Sequence, residues 1–162
     1  MKTLLLLRHA KSDWADAGIS DHDRPLNKRG KTDAPRMGEL LREHGQTPDL
    51  ILSSTALRAR QTAELVAEAC EYLGEILTVR EMYLAEPEEY LEAIQLYARE
   101  EAKVMIVGHN PGIEDLAARL TDQAISMTTA NVVHIRLPID NWGTLRKNTR
   151  GKLLNFWRPK EI

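Results

Sequence analysis

The chain has 162 residues, enough for one domain with a real core, and its 43% hydrophobic and 28% charged composition is that of an ordinary globular protein. A net charge of −2 gives no reason to expect nucleic acid or an anionic membrane as partner. Cys70 is the only cysteine, so no internal disulfide can form, which suits a reducing cytoplasm; no leader peptide and no membrane span are read.

Leu4 to Leu7 is an unbroken apolar run that stops at Arg8-His9. Such a run predicts a strand buried on both faces. The polar stretch Lys11 to Pro25 predicts a long loop. Asn27 then caps a helix to about Glu43, ended by Gly45, although Gly30 and Pro35 lie inside it. Leu50 to Ser53 predicts a second strand, with Ser54 and Thr55 as caps of a helix from Ala56 to about Tyr72. Leu57, Ala63, Leu65, Val66 and Ala69 are its expected buried side. Ile76 to Val79 predicts a short third strand, and Pro87 the first turn of another helix. Val104 to Val107 predicts a fourth strand, ending at Gly108-His109-Asn110-Pro111-Gly112 and followed by a helix to about Leu120. Ala130 to Leu137 predicts a fifth strand, Trp142 to Arg146 a helical turn, and Leu153 to Trp157 an edge strand. Strands alternating with helices imply a layered α/β sheet with right-handed parallel connections.

In such sheets ligands gather beyond the carboxyl ends of the strands. Three strand ends here carry groups suited to phosphate: Arg8-His9, the helix start at Arg58, and Gly108-His109. Arginine offers a charged fork that matches phosphate oxygens, and helix N-termini add backbone donors. A histidine among them is needed only for chemistry.

Arg8-His9-Ala10-Lys11-Ser12 resembles the Arg-His-Gly signature of the histidine phosphatase, or phosphoglycerate mutase-like, superfamily. Ser54 to Ala63 and Gly108-His109-Asn110-Pro111 resemble its second and third motifs, in the same order. Ala10 in place of the usual glycine, the short length and Asp23-Arg24-Pro25-Leu26 are similar to the SixA-like phosphohistidine phosphatases. The resemblance implies a single domain, residues 1–162, folded as a three-layer α/β/α sandwich around a mostly parallel sheet. It implies His9 as nucleophile, with Arg8, Arg58 and His109 gripping the phosphoryl oxygens. Glu81 matches the acid–base position of larger relatives; as a bare residue it reads equally as a solvated loop carboxylate, with Asp13 as the weaker candidate. The expected activity is metal- and cofactor-free removal of a phosphoryl group through a phosphohistidine intermediate, most naturally from phosphohistidine in a protein. The alternatives are a small-molecule phosphomonoester phosphatase and a non-catalytic phosphate-recognition module. Oligomeric state is left open.

The remaining polar motifs are read as structural. Gly30-Lys31-Thr32 lacks the rest of a P-loop, and no zinc-type spacing occurs. His22 and His44 are read as surface residues, His134 as structural, and Trp14, Trp142 and Trp157 as packing residues.

Overall fold

The Leu4–Leu7 run lies inside β1 (Lys2–Arg8), and all four leucines are fully buried in the computed structural model, which describes residues 1–162. Alternate side chains point to opposite faces of a strand, and here both faces are covered. Leu4 and Leu6 pack against α3 (Pro87–Tyr97) and α4 (Gly112–Thr121) through Tyr90, Ile94 and Leu116. Leu5 and Leu7 pack against α1 (Lys28–Glu43) and α2 (Leu57–Ala69) through Met37, Leu41 and Val66. The result is a three-layer α/β/α sandwich with a core on each side of the sheet.

The remaining strands are β2 (Leu50–Ser54), β3 (Ile76–Val79), β4 (Lys103–Gly108), β5 (Val132–Leu137) and β6 (Lys152–Trp157). They form one six-stranded sheet in the order β3-β2-β4-β1-β5-β6. The first four strands run parallel, while β5 is antiparallel to both β1 and β6. β1 and β4 are neighbours, yet the helices that follow them lie on opposite faces of the sheet. That divergence opens a crevice beyond their carboxyl ends. Register makes the crevice level: Arg8 pairs with Gly108, and Ser53 with Val107.

Local chemistry explains the element boundaries. The Asn27 side chain accepts a hydrogen bond from Gly30 N and caps α1 as expected. Gly30 is tolerated because a Cβ there would collide with the Lys11 carbonyl, where the chain leaving β1 crosses the helix. Glu86 and Glu89 form a capping box ahead of Pro87 at the start of α3. The fifth strand begins at Val132 and not at Ala130. Ala130 has φ +62° and uses its N–H to bind the Arg8 and His9 carbonyls, so it belongs to the turn. In α2 the buried stripe is Arg58, Ala59, Thr62, Ala63, Val66 and Ala67, whereas Leu57 and Leu65 are only half-buried. Small residues on that stripe let α2 approach α1 closely, where Gly38 meets Val66 and Ala69. No helix is long and apolar enough to cross a membrane.

Candidate active site

Three sheet elements deliver side chains into the crevice. His9 follows the last residue of β1, His109 follows the last residue of β4, and Arg58 sits in the first turn of α2 just beyond β2. The His9 and His109 rings lie with centroids 5.2 Å apart and planes tilted by 54°. Arg58 and Arg8 act electrostatically on His9, and His9, Arg58 and Arg8 on His109, so the four residues share one neighbourhood.

Backbone and side-chain contacts fix each of them. His9 Nδ1 lies 2.7 Å from the Ala10 carbonyl oxygen. A carbonyl only accepts, so Nδ1 carries the proton and Nε2 keeps its lone pair. The Ala10 N–H in turn donates to Thr62 Oγ1 at 3.0 Å, tying the turn after β1 to α2. His109 Nε2 meets Ser54 Oγ at 2.7 Å, while its Nδ1 is buried without a protein partner. Arg8 donates through Nη1 to the Met127 carbonyl at 2.8 Å. The same carbonyl accepts from Asn110 Nδ2, which also binds Glu114. The Nε atoms of Arg8 and Arg58 are likewise buried and unpaired. Buried polar atoms are rarely left so; the two arginine Nε atoms are donors that the oxygens of an anionic ligand would satisfy, and His109 Nδ1 donates or accepts according to its tautomer.

The electrostatics favour uncharged rings. Burial lowers His9 most; the Ala10 carbonyl, next in size, pulls it up, and the charges of Arg58, Arg8 and Arg24 add to the lowering, which leaves it at about 3. Burial also takes His109 to about 3, helped by His9, Arg58 and Arg8 and opposed by Asp21. Both imidazoles are therefore neutral near pH 7.

Asp21, Arg24 and Tyr83 were not among the residues expected here. Asp21 begins a one-turn 3₁₀ segment, Asp21–Asp23, in the loop after β1. Its carbonyl oxygen and Oδ2 accept from Arg58 Nη1 and Nη2 at 2.7 and 3.1 Å. Oδ1 accepts from Arg24 Nε and Nη2 at 3.2 and 3.0 Å, and Tyr83 OH donates to Oδ2 at 2.5 Å. Partial burial works to raise the Asp21 pKa, but donation from Tyr83, Arg24 and Arg58 outweighs it and holds the carboxyl at about 2. The only local hint in the sequence is the Asp-x-x-Arg spacing of Asp21 and Arg24; Tyr83 gives none. His22, read as a plain surface residue, also belongs to this rim. Its Nε2 lies 2.9 Å from Thr55 Oγ1, and its ring meets Tyr83 edge-on at 4.8 Å. With Thr55, Arg80 and Tyr83 it lines a cavity of about 450 Å³. Tyr83 connects that cavity to the floor, its ring 5.6 Å from His109.

Glu81 lies elsewhere. It sits in the 3₁₀ turn Arg80–Met82, is exposed, and lines a groove along α3 with Glu89, Glu92, Leu96 and Tyr97. Asp13 accepts from Ala15 N at 2.7 Å within its own turn. Trp14, expected to pack, is 71% exposed with the Arg24 guanidinium 3.4 Å above its ring centroid. His134 is structural as expected, bonded to Asn155 and stacked on Trp157.

Known proteins place this arrangement. The family model for the histidine phosphatase superfamily, branch 1, matches residues 4–90, more than half of the chain. A solved structure from Agrobacterium tumefaciens, assigned as the phosphohistidine phosphatase SixA, is 33% identical, covers 98% of each chain and superposes with a TM-score of 0.83. An uncharacterized protein of Mycobacterium leprae is 31% identical over 159 residues, spanning 96% of this chain and 92% of its own. An uncharacterized chloroplastic protein of Arabidopsis thaliana is 31% identical over 150 residues, 87% of this chain and 69% of its own. With the family signature lying on the very strand ends that form the crevice, the chain belongs to the histidine phosphatase superfamily.

Proposed function

We propose that the protein removes phosphoryl groups from phosphohistidine on a carrier protein, by way of a covalent phosphohistidine on His9. The observation that carries this reading is the state of His9: Nδ1 bound to the Ala10 carbonyl, the ring held neutral, and Nε2 free. A module built only to bind phosphate gains no charge from such a histidine. A nucleophile needs that lone pair.

Arg8, Arg58 and His109 are the groups proposed to hold the equatorial oxygens while phosphorus passes between two nitrogens. Phosphoryl transfer asks chiefly for positioning and positive charge, which guanidinium groups supply. The reaction so written needs no metal ion, and activity should survive chelators. Preference for phosphohistidine has a separate support. Asp21, the carboxylate bonded to Arg58, is ionised down to about pH 2, so it cannot donate a proton at neutral pH. An alkyl phosphate must release a strongly basic alkoxide and benefits greatly from such a donor. A protonated phosphohistidine ring leaves as neutral imidazole without one. The likeness to the Agrobacterium SixA structure points the same way.

The test compares turnover of phosphohistidine-bearing carrier proteins with a panel of small phosphomonoesters, and follows labelled phosphate after an alkaline quench. Phosphohistidine should be the faster substrate, with label on His9 that is lost in His9→Ala. Faster turnover of the esters, or an active unlabelled His9→Ala variant, would overturn the proposal.

A further inference from the structure

We propose that Asp21 sets substrate selectivity: its fixed carboxylate at the pocket mouth favours a substrate whose leaving group carries positive charge and disfavours one bearing a second anion. This rests on the phosphohistidine reading and names the group that would enforce it.

Placement comes first. The Arg58 and Arg24 side chains are 4% and 8% exposed, whereas that of Asp21 is 43% exposed. The carboxylate thus stands between two buried guanidinium groups and solvent, beside the way in to Arg58. Its hydrogen bonds come from its own loop, from α2 and from the turn after β3, through Arg24, Arg58 and Tyr83. Four donations to two oxygens leave it little freedom to rotate away. The other charged or titratable groups at the mouth are His22 and Arg80 on the cavity wall, Asp23 paired with His22 Nδ1 at 3.3 Å, and Tyr83, with His9 and His109 below. Asp23 is spent on His22, and Asp21 is the carboxylate bonded to Arg58.

The chemistry follows from the bond being broken. In the reactive substrate the phosphohistidine ring is protonated at its second nitrogen and is cationic. His9 Nε2 attacks phosphorus, a new P–N bond forms and the old one breaks. The bonding electron pair returns to the substrate nitrogen, and imidazole departs neutral. The deprotonated ring would have to leave as an anion. A fixed negative charge near the bound ring keeps it protonated. That same charge repels the carboxylate or second phosphate of a small phosphometabolite.

The test uses the full chain with Asp21→Asn and Asp21→Glu, phosphohistidine as substrate, and 3-phosphoglycerate and inorganic phosphate as competing ligands. In Asp21→Asn the alkaline limb of kcat/KM for phosphohistidine should move to lower pH. Binding of 3-phosphoglycerate relative to phosphate should tighten roughly 5-fold, the effect of an exposed charge pair, and this gain should shrink at high salt. Asp21→Glu keeps the charge and should restore both properties, even if its rate is lower. A uniform loss in Asp21→Asn, with limb and binding ratio unchanged, would reduce Asp21 to a strut for Arg58 and overturn the inference. Failure of the wild-type protein to hydrolyse phosphohistidine would instead strike the functional proposal.

Discussion

The floor of the pocket and its rim are held by different means. On the floor, His9, Arg58 and His109 are 7%, 3% and 2% exposed, and each hangs from the end of a sheet strand or the first turn of a helix. Their spacing is set by backbone register, with Arg8 level with Gly108. The rim residues Trp14, Asp21, His22 and Tyr83 come from loops and turns. They are joined by side-chain contacts: Arg24 on Trp14, His22 on Thr55, and Tyr83 on Asp21 across 62 positions. In the proposed reaction, a floor built by strand register presents the same groups to any phosphoryl group. A rim built by exposed charges and rings meets the rest of the substrate. Floor substitutions should therefore damage every substrate alike, while rim substitutions change the choice among substrates.

The largest test of that division is Arg58→Ala. Losing one preorganised donor to developing charge typically costs about 10²–10³-fold in rate. We expect kcat/KM to fall by that order for phosphohistidine and for aryl phosphates together. Tyr83→Phe, which removes one donor to Asp21 and leaves both arginine contacts, should cost far less. An Arg58→Ala variant that spared one substrate class would break the distinction between floor and rim.

Acid should separate the two regions by pH window. His9 and His109, held at about 3, lie well below the ordinary histidine value of 6.5. Between those values the unfolded chain takes up protons that the native state refuses. Their contribution is thus complete above 6.5 and is lost as pH falls towards 3. By pH 5 the loss approaches roughly 2 kcal/mol per ring, at 1.36 kcal/mol for each pH unit. Asp21 behaves as a depressed carboxyl: its contribution persists above its ordinary 3.8 and is lost as pH falls through about 2. Urea unfolding at pH 7.5 and 5 should show the histidine loss, and His109→Gln should flatten it. A pH-independent wild-type stability over this range would mean that the floor rings are not held neutral.

The same division governs what could be read from sequence. Leu4–Leu7 announces a strand buried on both faces, and Asn27 announces α1, because both signals are local. The floor was legible for the same reason: each residue adjoins a strand whose apolar run is visible. Leu57 and Leu65 misled because the tight approach of α1 and α2 selects small residues for the buried stripe, not large ones. Trp14 misled because an arginine gives an exposed aromatic ring a partner outside the core. Asp21 and Tyr83 are chemically ordinary until the turn after β3 folds back over the loop after β1, and no local pattern encodes that contact.

Glu81 offers the smallest effect and a sharp test of the rim. Its neighbour Arg80 lines the cavity with His22, Thr55 and Tyr83, while Glu81 lines the separate groove on α3. Successive residues of one turn thus serve different surfaces. A proton donor must come within hydrogen-bond reach of the leaving atom, directly or through one water. Imidazole departing from a protonated ring asks for no such donor. Glu81→Gln keeps the shape and removes only the ability to exchange a proton. We therefore expect phosphohistidine turnover to be unchanged by it, measured in a single turnover so that product release does not intrude. Alkyl phosphates, which do need an acid, are the informative contrast. If the Gln variant lost about 10²–10⁴-fold on them alone, the range of general acid catalysis, the turn after β3 would have to swing Glu81 into the mouth when substrate binds. The rim would then be a moving part, and Tyr83, carried on the same turn, would move with it. If neither substrate suffers, Glu81 is a solvated carboxylate and the rim works as it stands, with Asp21 as its acting charge.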